Sequence, residues 1–112
     1  MSFEPREYLR HILVEAEYLL GASGRTDKAR FLQDETLRRA FVRSLEIIGE
    51  AAKKVPEEFR ALHPKVEWRG MSRMRDRLIH GYFGVDYDLV WNVVETKVPA
   101  LARDVREILG PP

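Results

Sequence analysis

Apolar residues recur along this chain at intervals of three and four, and almost nowhere at strict intervals of two. That regularity confines the chain to helices. Side chains three and four apart share a face of a helix, whereas a strand gathers every second residue. Leu9, Ile12, Leu13, Ala16, Leu19 and Leu20 form one such stripe, with Pro5 suited to the first turn and Gly21-Ala22-Ser23-Gly24 reading as a connector that stops the helix. A second segment starts at Thr26 or Asp27 as N-cap, carries Leu37, Ala40, Phe41, Ser44, Leu45, Ile48, Ala51 and Ala52, and ends before Val55-Pro56. Pro56 and two glutamates open a short helical turn to Leu62, closed by His63-Pro64. A third long helix is expected from about Val66 to His80, with Gly81 ending it. The last runs from Asp86 or Asp88 as cap, through Leu89, Val90, Val93, Val94, Val98, Leu101, Val105 and Ile108. Pro99 lies inside that pattern and is expected to kink or split it. The expectation is an all-α, antiparallel four-helix bundle with an additional short helix.

Length and composition narrow the function classes. With 112 residues the chain has room for one domain, 1–112, and 45% hydrophobic residues suffice for a core, which excludes wholesale disorder. Nineteen basic against 18 acidic side chains leave a net charge of +1. That balance excludes a polybasic tail while leaving room for a local basic cleft. The absence of cysteine excludes a disulfide scaffold, a thiolate zinc site and a cysteine nucleophile. No apolar run approaches the ~20 residues of a membrane span. Met1-Ser2-Phe3-Glu4-Pro5 lacks a signal-peptide core, so a cytoplasmic protein without membrane attachment is expected. No histidines and carboxylates have metal-site spacing, and no glycine loop cradles phosphate, so neither metal nor cofactor is expected.

The segment from Trp68 to Tyr82 breaks its own pattern. At ~100° per residue, Trp68, Met71, Met74, Leu78, Ile79 and Tyr82 define an apolar arc, and Arg75 falls inside it. Arg69, Arg73, Asp76, Arg77 and His80 mark the opposite face. A guanidinium is seldom buried without a partner, so Arg75 points into an interface, a polar cleft or a carboxylate. His80, at the helix end, reads as a capping cation or as an acid/base, and Asp76, one turn earlier, is placed to orient its ring. His11 lies beside the first stripe and reads as packing. His63 precedes Pro64 in a turn and reads as solvated. By packing alone, Tyr82 closes the helix end with Phe83 and Trp91.

Arg75, four residues, His80, one residue and Tyr82 spell R-x4-H-x-Y. Arg6 and His11 repeat the first part, but Leu13 stands where the tyrosine belongs. Together with Leu45-Glu46-Ile47-Ile48-Gly49-Glu50-Ala51-Ala52, Trp68, and Val85-Asp86-Tyr87-Asp88-Leu89-Val90-Trp91, this pattern resembles the HEPN superfamily. Within it, the match is to the HepT-like ribonuclease toxins, which pair with a nucleotidyltransferase antitoxin of the MntA type. Asp76 departs from the asparagine usual there. The resemblance implies an endoribonuclease that cuts RNA without metal, with Arg75 and His80 as catalytic residues and a homodimer joined at the motif. It also implies that Tyr82 accepts AMP from the antitoxin.

The residue types suit that chemistry. Metal-independent RNA cleavage needs a base for the ribose 2′-OH, stabilisation of the phosphorane charge and an acid for the 5′-oxygen. Histidine changes charge within the cellular pH range, and arginine offers forked donors to phosphate. On a continuous helix, residues five apart diverge by ~140°. The two side chains therefore converge only if the helix end frees His80 or a two-fold dimer joins two motifs. Two rival readings remain at this level. One is a non-catalytic module binding a nucleotide or a nucleotidyltransferase. The other is a structural dimer in which Arg75 pairs with a carboxylate such as Glu50.

Overall fold

The computed structural model describes residues 4–81 and 84–111, and among these it is all-α. The chain forms α1 (Pro5–Ser23), α2 (Lys28–Gln33), α3 (Glu35–Lys54), α4 (Glu57–Leu62), α5 (Trp68–His80), α6 (Tyr87–Thr96) and α7 (Val98–Leu109). The four long units of the expected bundle are α1, α3, α5 and the α6–α7 pair, with α2 and α4 as short additions. Helix α3 is the hub, packing against α1 on one side and α5 on the other, while α7 lies along α1. Glu15 meets Ser44 and Tyr18 meets Phe41, so α1 and α3 run in opposite directions. Among the described residues no helix is long and apolar enough to cross a membrane.

The stripes face inward as their spacing requires. Leu9, Ile12, Ala16 and Leu19 of α1, Phe41, Leu45, Ile48 and Ala52 of α3, and Val90, Val94, Val98, Ala102 and Val105 of α6–α7 are buried together. Two boundaries differ from expectation, each for a local reason. The second segment is two helices rather than one. Asp34 ends α2 and caps α3, its carboxylate accepting from the Leu37 N–H at 3.0 Å. The chain turns there because Phe31, fully buried on α2, must reach the ring pair of Phe41 and Trp91, at 4.8 and 5.2 Å between centroids. The first helix also runs through Gly21 to Ser23 and stops at Gly24.

The other boundaries follow the sequence signals closely. The last helix splits at Lys97, which puts Pro99 in the first turn of α7, where its missing N–H leaves no bond unmade. Of the two candidate caps, Asp86 accepts from the Leu89 N–H at 3.1 Å, while Asp88 pairs with Lys28 at 2.9 Å. Helix α5 begins at Trp68, whose indole N–H donates to the His63 carbonyl at 3.0 Å.

Phe31 anchors α2 through one side chain, so Phe31→Ala is expected to cost about 3–5 kcal/mol, the range for emptying a buried ring site. Urea denaturation checks this against Val14→Ala, which at 64% exposure is expected to change stability by no more than about 0.5 kcal/mol.

Candidate active site

The motif helix α5 lies unusually close to α3, and the contact is made at Gly49. A Cβ built on Gly49 would stand 2.2 Å from the Arg75 Cβ and 2.6 Å from the Met71 carbonyl oxygen. Only a residue without a side chain allows this approach. The α5 backbone is therefore seated directly on α3, with Trp68 and Leu78 buried and Met71 and Met74 half-buried beneath it.

Arg75 emerges at the edge of this seam. Its guanidinium donates to Asp76 Oδ1 at 3.2 Å and forms an ion pair with Glu50 Oε2 at 2.8 Å, and its Nε is buried without a hydrogen bond. The side chain is about one quarter exposed. Of the environments anticipated for this arginine, the carboxylate is the one observed in the single chain. Half-exposed pairs of this kind contribute about 0–1 kcal/mol, so the main effect of Glu50 is to fix where the guanidinium points. Lys53, 3.8 Å from Asp76 Oδ1, extends the cluster.

His80 occupies the last helical position, exposed, and its Nδ1 lies 2.8 Å from the main-chain carbonyl of Asp76. Asp76 thus orients the ring, but through its backbone; its carboxylate is engaged by Arg75 and Lys53. A carbonyl oxygen only accepts, so Nδ1 is the donor of this contact, and in the uncharged form of the ring Nε2 is then the acceptor. That is the tautomer a general base requires. Because α5 stays helical through His80, the imidazole and the Arg75 guanidinium leave the helix in divergent directions. One chain does not bring them together.

The remaining sequence candidates sort themselves by contact. His11 is exposed, with its ring edge on Tyr8 at 6.5 Å. His63 is half-buried against Phe59 at 4.8 Å, rather than solvated as expected. Tyr82, like Phe83, lies outside the described residues. Among the described residues no three His, Cys, Asp or Glu side chains are grouped so as to hold a metal ion. A cavity of about 350 Å³ opens on another flank of α5, lined by Met71, Met74, Leu101 and Asp104 among others, and neither Arg75 nor His80 borders it. Of the two described motif residues, His80 lies on open surface and Arg75 at the partly buried edge of the seam.

Two members of this arrangement lie outside what periodicity shows. Gly49 does carry a signal of another kind: an isolated glycine on the apolar face of an otherwise strong helix former marks a close approach. Lys53 carries none, since an exposed lysine near a helix C-terminus is ordinary.

Comparison with known proteins follows the same lines. The profile of the family described as "Ribonuclease HepT-like" matches residues 9–108. A protein described as "Putative RNase" from Caldanaerobacter subterraneus subsp. tengcongensis is 50% identical over 105 residues, 94% of each chain. Another of the same description, from Methanocaldococcus jannaschii, is 40% identical over 93% of this chain and 86% of its own. One described as "Probable ribonuclease HepT" from Thermococcus cleftensis is 43% identical over 90% of this chain and 92% of its own. No solved structure matches at a significant level.

The seam predicts opposite results at two helical glycines. Gly49→Ala must push α5 off α3, because the obstructing Met71 oxygen is backbone; the expected loss is about 1–3 kcal/mol. Gly21→Ala, whose Cβ would meet nothing nearer than the Arg25 guanidinium at 3.5 Å, is expected to be neutral or to stabilise by about 0.4–1 kcal/mol. Paired thermal melts check both signs.

Proposed function

The chain belongs to the HepT-like ribonuclease family, and from that premise we propose that it is a metal-independent endoribonuclease, the toxin of a toxin–antitoxin pair acting in the cytoplasm as a homodimer. The observation that carries the reading is His80: exposed, with its ring oriented by a main-chain carbonyl at Nδ1, which leaves Nε2 without a recorded partner among the described residues. In the proposed reaction Nε2 takes the proton of a ribose 2′-OH, and that oxygen attacks the adjacent phosphorus in line. The P–O5′ bond breaks, and the leaving oxygen receives a proton from an acid on the far side. The products are a 2′,3′-cyclic phosphate and a free 5′-OH. Arg75 donates to the phosphorane oxygens, where charge develops, and Glu50 acts as its positioning residue.

Acid and base are two tasks, and each chain has one motif histidine. The divergence of Arg75 from His80 on an unbroken helix supports a two-fold dimer in which two α5 helices face one cleft. One His80 then serves as base and its copy as acid. In the same reading Tyr82 is the point of control. Its phenol oxygen attacks the α-phosphorus of ATP on a nucleotidyltransferase of the MntA type, pyrophosphate leaves, and the attached AMP places negative charge where RNA phosphate must sit.

A second reading is favoured by one observation. The Arg75–Glu50 pair already occupies the guanidinium, as in the structural helical dimer whose arginine is an ion-pair residue and cuts nothing. The two readings part on activity. His80→Ala is expected to remain folded and to lose cleavage by about 10²–10⁴-fold. Arg75→Ala is expected to lose cleavage too, with Arg75→Lys restoring little because it lacks the fork. Cleavage by purified protein is expected to survive a chelator, and products are expected to carry cyclic phosphate ends. Normal cutting by His80→Ala, or a chelator-sensitive reaction, would defeat the mechanism. Sedimentation as a monomer at micromolar concentration would defeat the shared cleft. Intact mass after coexpression with an adjacent nucleotidyltransferase tests Tyr82: AMP-sized additions are expected and are expected to vanish in Tyr82→Phe.

A further inference from the structure

Most cations on this surface are neutralised by a neighbour. Arg10, Arg30, Arg39, Arg106 and all five lysines are within 4 Å of a carboxylate. Among the described residues the arginines without a carboxylate partner outside α5, namely Arg6, Arg25, Arg38, Arg43 and Arg60, are scattered over α1, α3, α4 and a loop, whereas α5 gathers several on one helix. It carries four arginines against one aspartate, and three of them, Arg69, Arg73 and Arg77, are exposed. None of these three makes an ion pair or hydrogen bond among the described residues. At 100° per residue they fall within about 80° of arc, and His80 falls inside that same arc, about 20° from Arg69. At 1.5 Å per residue the row runs roughly 16 Å from Arg69 to His80. Of the carboxylates bordering the row, Asp76 is held by Arg75 and Lys53 and Glu67 pairs with Lys97, while Glu57 lies in the same depression as Arg69. A chain with a net charge of +1 thus places three arginines without an ion-pair partner among the described residues on one line that ends at the exposed imidazole.

We infer that Arg69, Arg73 and Arg77 form a track for the phosphates of a single RNA strand, guiding it lengthwise along α5 to His80. The inference rests on the ribonuclease reading and adds to it residues outside the R-x4-H-x-Y motif. Three guanidiniums one helical turn apart in a single row match one strand rather than the two phosphate lines of a duplex. The row offers charge without base recognition, since the aromatic residue of α5, Trp68, is buried and bonded to His63. Contacts to phosphate position a strand without reading its sequence, so the track is indifferent to base identity.

The test is fluorescence anisotropy of a labelled single-stranded RNA oligonucleotide on the full chain carrying His80→Ala, at salt concentrations between about 50 and 200 mM. Each phosphate contact contributes about −0.7 to the slope of log affinity against log salt for a single strand. R69Q/R73Q/R77Q is therefore expected to flatten the slope by about 2, and Arg73→Gln alone by about 0.7. Arg43→Gln, also exposed but on α3, is expected to leave the slope unchanged. In the protein with His80 intact, the triple variant is expected to raise KM and leave kcat near its native value. Unchanged affinity and slope in both variants overturn the track, and so does a triple variant that weakens only self-association or binding to a nucleotidyltransferase. Native protein that binds RNA with the arginine-dependent slope but never cuts it would uphold the track and remove the ribonuclease reading. Cutting at native KM by the triple variant would do the reverse.

Discussion

The close approach of α3 and α5 at Gly49 sets the terms for the rest of the site. With no Cβ in the way, the α5 backbone comes down onto α3 until the Met71 carbonyl and the Arg75 Cβ occupy the space a side chain would take. Arg75 then has a single way out, along the seam, and that route ends at Glu50. The same seating turns the opposite face of α5 to solvent, where His80 and the arginine row lie. Helix α5 leans chiefly on α3, while α1, α3, α6 and α7 enclose the main core. The aromatic trio of Phe31, Phe41 and Trp91 ties α2, α3 and α6 into that rigid body without involving α5.

Much of this can be read from residue order, because helical burial repeats with a period that sequence displays directly. The stripes of α1, α3 and α6–α7 name the buried faces, and Pro99 announces a break near where α7 begins. The break at Asp34 is harder. Apolar residues flank it on both sides, and an aspartate followed by a glutamate reads as exposed surface unless it is recognised as a cap opening a new helix. What decides it is Phe31, whose ring must turn inward toward two rings distant in sequence. No local signal carries that information.

The site shows the same division. Spacing places Asp76 one turn before His80, yet it does not say which oxygen of Asp76 the ring will meet. In the folded chain Arg75 and Lys53 engage the carboxylate, and the main-chain carbonyl of Asp76 meets the Nδ1 of the ring instead. Arg75 within an apolar arc admits an interface, a cleft or a carboxylate, and the choice turns on Glu50, one residue from the glycine that brings the helices together. Charge pairing across helices depends on azimuth and separation, which composition and period leave undetermined.

Gly49 also bears on how substitutions can accumulate at the seam. Its obstruction is partly a backbone oxygen, which is present whatever residue follows, and partly the Cβ of position 75, which every residue but glycine shares. Position 49 is therefore closed to side chains no matter what stands opposite it. Position 75, by contrast, meets position 49 through its Cβ and Cγ, atoms that most other side chains also carry. The seam thus fixes where the side chain at position 75 begins, and the ion pair with Glu50 fixes where this arginine's charged end comes to rest.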